Sequence, residues 1–352
     1  IDSLTNFTTV GMSFNGYLHS GNIFPDIEEP LRVQPDFSLG FVKSFTDEGL
    51  PLYDERAQAF VEISLSHQGL RGGGRIEYLT AVMYSDDFIF HPDSMMARLH
   101  EFDLEASIGN VSYPAVYANN VTQKWNIEDN SMILRSATNI PFEMYNKQLS
   151  LKGSLIYRPD GLFGSGELSY ADAIFRSTSF GFRHNEFGAD KSAFILSSPA
   201  FGTTFSAISF GFTYDLDMRQ GMFEKHGNNT WIEFPLNQYL AYMDAFRWET
   251  DFEEIHLGLD EAPSMININE PSGSTPAVFD SKKRNFISQH SDQDSLRFAA
   301  GAARFDLREY AIDIQEVPYI SVADAALIPI DGHVSILRNA EMKPLVGARL
   351  IT

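Results

Sequence analysis

The chain has 352 residues, no cysteine, and 47 acidic against 26 basic side chains, a formal charge of −21. Without thiols there is no disulfide framework, no zinc–thiolate site and no thiol nucleophile. The acidic excess repels phosphate backbones and anionic lipid surfaces, so nucleic acid is not an expected partner, and the charge itself is read as colloidal solubility rather than as a Ca²⁺-binding property.

Hydrophobic residues at 43%, with 29 Phe and 14 Tyr, mark a folding chain. It opens at Ile1 and ends at Thr352 directly after an apolar run, Leu345 to Ile351, which predicts a processed chain or one section of a longer polypeptide. No stretch approaches the ~18 consecutive apolar residues of a membrane helix, and no charged leader with an apolar core is present.

In chain order, the first strong signal is a repeat. Residues 53–104 can be laid without a gap on 145–196, an offset of 92 (53 to 145). Within it Gly69, Leu70, Gly72, Gly74, Tyr78, Ala81, Ser85, Phe88 and Phe90 recur as Gly161, Leu162, Gly164, Gly166, Tyr170, Ala173, Ser177, Phe180 and Phe182. Average residue frequencies would give roughly one or two identities over that stretch. Ala97, Phe102 and Leu104 recur as Ala189, Phe194 and Leu196. Such repetition signals duplicated supersecondary units that bury apolar faces against neighbours.

Period-two alternation runs through both copies: Ile76, Tyr78, Val82, Phe88 and Phe90 on even positions, matched by Leu168, Tyr170, Ile174, Phe180 and Phe182. That is strand chemistry. The frames 69–74 and 161–166 read as glycine turns or bulges entering each alternating run. They are not phosphate loops, because no Lys-Ser or Lys-Thr follows and no helix pattern opens.

A tryptophan-led spacing also repeats: Trp125 precedes Met132 and Leu134 as Trp248 precedes Ile255 and Leu257, with Pro114 and Pro235 upstream. Ser-Phe-Gly-Phe occurs at 179–182 and again at 209–212. The Pro, Gly and Ser density of 258–285 predicts a solvated loop or linker. Beyond it Ile312, Ile314, Ile320, Val322, Ile328 and Ile330 are spaced for short strands.

The expected fold is therefore all-β: duplicated β units forming stacked sheets, β-sandwiches or a β-solenoid. A first β unit is expected over 1–110, a second over 111–257, a linker over 258–285 and a C-terminal β segment over 286–352.

Two resemblances bear on function. Leu296 to Leu307, running on through Val317-Pro318-Tyr319-Ile320-Ser321-Val322-Ala323-Asp324-Ala325, resembles the β-sheet repeats of OstA-type lipopolysaccharide-transport proteins, which implies lipid carriage in the cell envelope. The segments Phe14-Asn15-Gly16, Gly21 to Pro25 and Asp36 to Phe41, with the glycine frame, resemble very large repetitive β-rich cell-surface proteins of Bacteroidetes. The tripeptides at Asp2, Asp93 and Asp294 match the short O-glycosylation signal of exported proteins of that phylum.

Few constellations carry chemistry. The acidic pairs Asp86-Asp87, Glu253-Glu254 and Asp260-Glu261 are the places to look for glycosidase or lyase work; neighbours on a strand point to opposite faces, so they read as a solvated surface. His290, Asp292 and Asp294 alternate and could share one strand face around a cation, Ca²⁺ being the one such oxygen donors take. His67 and His184 do not occupy equivalent repeat positions. Trp125 and Trp248, as repeat markers, read as core anchors, whereas Trp231 is the candidate for stacking on a glycan.

No catalytic residue, cofactor or transition metal is expected. The function this points to is a non-enzymatic, extracytoplasmic structural or adhesive protein, or a subunit of a larger bacterial envelope assembly (periplasm, outer-membrane associated or cell surface). Its expected partners are other envelope proteins, further sections of a longer chain, or a glycan. Two rivals remain: a carbohydrate-active protein (polysaccharide lyase, hydrolase or glycan-binding module) and a β-lined conduit for lipid or glycolipid. A scaffold would fill its core with the Phe and Tyr ladder; a conduit would leave a continuous apolar groove.

Overall fold

The structure, a computed structural model, describes residues 12–34, 37–137, 140–258 and 285–351. The protein is all-β, and among the described residues there is no α-helix, only three short 3₁₀ turns. The chain divides into two compact units, Ile1–Gly164 and Ser165–Thr352. The expected linker lies almost wholly in 259–284, outside the described residues.

The strands of the 53–104 stretch are Ala57–Ser66, Gly69–Tyr78, Ala81–Phe90 and Ser94–Leu104. In the later stretch Leu149–Arg158, Gly161–Tyr170 and Ala173–Phe182 fall at the same offset of 92, and Glu186–Ser198 starts at it. Even the unusual backbone recurs. Tyr53, Asp54 and Glu55 take positive φ, and so do Tyr145, Asn146 and Lys147.

Within these strands the simple alternation expected from sequence is corrected. Val82 and Ile174 are only half-buried; the inward residues are Ala81, Met83 and Ser85, and then Phe88 and Phe90. The phase slips because Gly72 pairs with Phe88 but Gly74 pairs with Ser85, so that Asp86 and Asp87 together face Gly73. This is a β-bulge, two residues against one. Of the two readings of the glycine frame, turn or bulge, the structure shows the bulge, and the frame lies inside the strand rather than ahead of it.

The bulge explains which residues repeat. At Gly74 φ is +139°, and a Cβ there would lie inside van der Waals contact of the Phe60 carbonyl oxygen. Ser85 satisfies backbone groups that the bulge frees: its hydroxyl donates to the Arg98 carbonyl (2.9 Å) and accepts from the Asp87 N–H (3.1 Å). Ser177 does the same for the Lys191 carbonyl (2.8 Å) and the Ser179 N–H (3.0 Å). Asp86 and Asp87 are both exposed, so here adjacency does not send two carboxylates to opposite faces.

Similar slips occur in the middle of other long strands. Buried positions jump from Leu99 to Phe102, from Ala118 to Val121 beside Asn120 (φ +55°), and from Ala207 to Phe210 beside Ser209 (φ +63°). In each unit the long strands therefore serve two half-sheets, or leaves, one on either side of these irregularities.

Forks show the leaves directly. In the second unit the strand Gly202–Asp215 pairs through 210–215 with Gln220–Lys225, and through 206–208 with Trp231–Phe234. From the first partner one leaf continues through Ala245–Glu249, Glu254–Leu257, Ala302–Asp306, Ala311–Gln315 and Val334–Ile336. From the second, the other leaf continues through Tyr239–Ala241, Phe286–Ser288, Arg297–Phe298, Ile320–Val322, Ala325–Ile328 and Arg349–Ile351.

Their inner faces meet through aromatic rings. Phe234 on one leaf lies edge-on to Phe305 on the other (5.0 Å), and Phe205 contacts both Phe246 (5.4 Å) and Phe305 (6.1 Å). Asn237, fully buried, donates across to the carbonyls of Tyr310 (2.8 Å) and Ile336 (3.2 Å).

The first unit forks in the same manner. Val116–Asn126 pairs with both Ser131–Arg135 and Phe142–Met144, and Leu149–Arg158 closes over both. Its seam is Tyr53, Tyr78, Trp125 and Tyr157, with ring separations of 4.5–5.6 Å. Burial pushes the Tyr78 phenol up to about 12.

The tryptophan spacing is a hairpin register: Trp125 sits opposite Met132, and Trp248 opposite Ile255. Both rings are buried. Of the C-terminal isoleucines, Ile312, Ile314 and Ile320 are buried, whereas Ile330 lies in a 3₁₀ turn and is 54% exposed.

Phe180 is 1% exposed and touches Phe182 and Phe212. Phe180→Ala is expected to lower unfolding free energy by about 3–5 kcal/mol in urea titrations. Gly74→Ala, which strains the bulge, should cost about 1–3 kcal/mol by the same measurement.

Candidate functional site

A cross-strand set of interacting charges lies on the outer face of the second unit. Alternation puts Phe246, Trp248, Ile255, Leu257, Ala303 and Phe305 inward, which leaves Arg247, Glu249, Glu254, His256 and Arg304 outward. Antiparallel register then lines them up across strands: Arg247 opposite His256, His256 opposite Arg304, Arg304 opposite Asp313, and Asp313 opposite Ser335. One step along, Glu249 faces Glu254.

Two carboxylates directly opposite repel, and the neighbours compensate. Glu249 Oε1 accepts from Gln220 Nε2 (3.3 Å) and forms an ion pair with Arg247, whose Nε stands 2.9 Å away. Glu254 Oε1 accepts from Arg304 Nη1 (3.1 Å). The two Oε2 atoms turn toward His256 Nε2, at 3.5 and 3.2 Å. These three ligand atoms lie within 4.8 Å of one another.

A His with two carboxylates is a donor set that suits zinc. In this chain each carboxylate already has a guanidinium within ion-pair distance, while His256 Nε2, close to both, makes no hydrogen bond. Such ion-pair networks, half out of water, fix strand register and side-chain geometry.

The network ends at Asp313. Burial alone would raise its carboxyl, but hydrogen bonds from Ser335 (2.7 Å) and Arg304 (3.1 Å), with the Lys343 charge, outweigh that and hold it below the usual carboxylate value. His333 Nε2 stands 3.8 Å away. Beside it is an open cavity of about 440 Å³ lined by Asp313, Asp331, His333 and Lys343.

Of the residues singled out from sequence, Glu254 lies in this cluster and the others fall elsewhere. His290, Asp292 and Asp294 do not share a strand face: Ser291–Gln293 is a 3₁₀ turn, His290 caps it by accepting the Asp292 N–H (3.2 Å), and Asp294 ends it in the left-handed region. Their side chains do not gather around a common point. Trp231 is at the surface, 36% exposed, at the start of its strand. Asp86 pairs with His100 (3.0 Å), Asp87 with Arg71 (2.5 Å) and Glu253 with Arg308 (3.5 Å). Asp260 and Glu261 lie outside the described residues.

Sequence reasoning missed the Glu249–Glu254–His256 cluster. The signal was present in the tryptophan spacing, because a hairpin that sets Trp248 opposite Ile255 also sets Arg247 opposite His256 and Glu249 opposite Glu254.

Compared with family models, curated proteins and solved structures, the chain finds no match in any of the three. Among the described residues no helix is long and apolar enough to cross a membrane.

Because the folded-state pKa of Asp313 is depressed, the stability it confers is complete above the unfolded value and is lost as pH falls through the folded one. The difference in unfolding free energy between wild type and Asp313→Asn should be constant above pH ~4 and shrink in more acidic solution. Paired urea titrations at several pH values measure it.

Proposed function

We propose that this chain is a non-enzymatic structural or adhesive protein of a bacterial envelope or cell surface, whose repeated β units supply length and contact surface within a larger assembly. The observation that carries the reading is the filled interior. Phe175, Phe187, Phe194, Phe212, Phe223, Phe246 and Trp248 form one contiguous aromatic cluster in the second unit, each at most 3% exposed. Tyr53, Tyr78, Trp125 and Tyr157 do the same in the first.

Aromatic pairs in such clusters add about 0.5–1.5 kcal/mol each beyond burial. A conduit would need that space open along its length. The duplicated strand bounds support a body that grows by adding units rather than one built around a single centre. The absence of cysteine from so large a β chain and the charge of −21 favour an extracytoplasmic, soluble surface. On this reading its partners are other envelope components, and it needs no cofactor.

The rival classes separate in one preparation. Organic extraction of the purified chain, followed by mass spectrometry, is expected to release no stoichiometric lipid or glycolipid, and a polysaccharide panel is expected to show no depolymerisation. A bound lipid at one per chain would establish the conduit instead, and cleavage of any polysaccharide would establish the enzyme.

A further inference from the structure

The outer face of the first unit carries a groove of about 410 Å³ beside the Asp86 bulge. One wall is a cross-strand row, Phe60 opposite Arg75 and Arg75 opposite Tyr84. The Arg75 guanidinium lies 4.3 Å from the centre of the Phe60 ring, a cation–π contact that holds it in place, and Glu77 braces it at 3.1 Å. Gly74 contributes bare backbone, and Tyr84 is 37% exposed. The bulge turns Asp86 outward, its side chain 91% exposed, where it meets His100 at 3.0 Å.

The equivalent stretch shows what the fold itself requires. At the offset of 92, Gly166 and Ser177 keep the bulge residues, but Phe60, Arg75, Tyr84 and Asp86 are replaced by Lys152, Glu167, Arg176 and Thr178. The strands keep their bounds, and Ser177 its two backbone hydrogen bonds, without an aromatic wall, so the side chains of the groove are not imposed by backbone geometry.

We propose that this groove binds a neutral saccharide. An exposed aromatic face takes the C–H face of a sugar ring, and a carboxylate, an imidazole and a fixed guanidinium around it supply paired donors and acceptors for hydroxyls. The charge of −21, with Asp86 and Glu77 at the groove, disfavours polyanionic sugars. This goes beyond the structural reading and does not depend on it: a spacer with a filled core stands whether or not its surface takes glycan.

The test is titration calorimetry of the full chain against neutral glucan and mannan oligosaccharides, with polyuronate oligosaccharides as the charged arm. Saturable binding of a neutral oligosaccharide is expected. Tyr84→Ala and Asp86→Ala should each weaken it by about tenfold, Asp86→Ala with an unchanged thermal midpoint because its side chain is 91% exposed, while Arg176→Ala leaves it at the wild-type level. Absence of saturable binding to every neutral oligosaccharide, wild-type affinity in both groove variants, or tighter binding of the polyuronates would overturn the proposal.

Discussion

Everything in this fold depends on bending long strands without turning their apolar residues outward. A strand that kept strict alternation through a sharp bend would strain its ladder; an extra residue at the bend relieves the strain but reverses the phase beyond it. This chain writes the reversal into the sequence. In Ala81–Phe90 the buried residues fall at odd positions, Ala81, Met83 and Ser85, and then at even ones, Phe88 and Phe90. The cost of each bulge is backbone groups without ladder partners, and Ser85 and Ser177 meet it with their hydroxyls.

Once bent, the sheet has a place for aromatic residues. The seam between the leaves is filled by aromatic side chains. Large rings with polar tips suit it: Tyr78 reaches Asn130 (3.0 Å) and Tyr214 reaches Thr250 (2.7 Å), so the ring bodies stay dry while the hydroxyls remain bonded. On the outer face the same register that stacks rings inside sets charges opposite one another, and the run from Arg247 to Ser335 follows from it.

How much of this could be read from the chain alone depends on the range of the contact. Strand chemistry, the offset of 92 and the hairpins at Trp125 and Trp248 are local in sequence and legible there. The glycine frame admits a bulge but not its position, because two-against-one pairing is a property of two strands; Asp86-Asp87 reads as an ordinary alternating pair, and one strand alone does not show that both lie against Gly73. The forks were likewise hidden, since nothing in 202–215 announces two partners. His290, Asp292 and Asp294 misled because alternation of polar residues is equally the mark of a capped turn. Trp231 differed from the other two tryptophans for a reason visible in sequence, its lack of the hairpin spacing.

The placement of those tryptophans gives the chain internal reporters. Trp125 is sealed beside Tyr53 and Tyr78 in the first unit, and Trp248 beside Tyr170 and Tyr214 in the second, while Trp231 sits at the surface. Indole emission shifts to longer wavelength when water reaches the ring. With Trp231 replaced by Phe, and then one buried indole at a time, the colour of the fluorescence becomes a separate readout of each unit's integrity. Whether the two units melt together or in sequence can then be followed without attaching a dye.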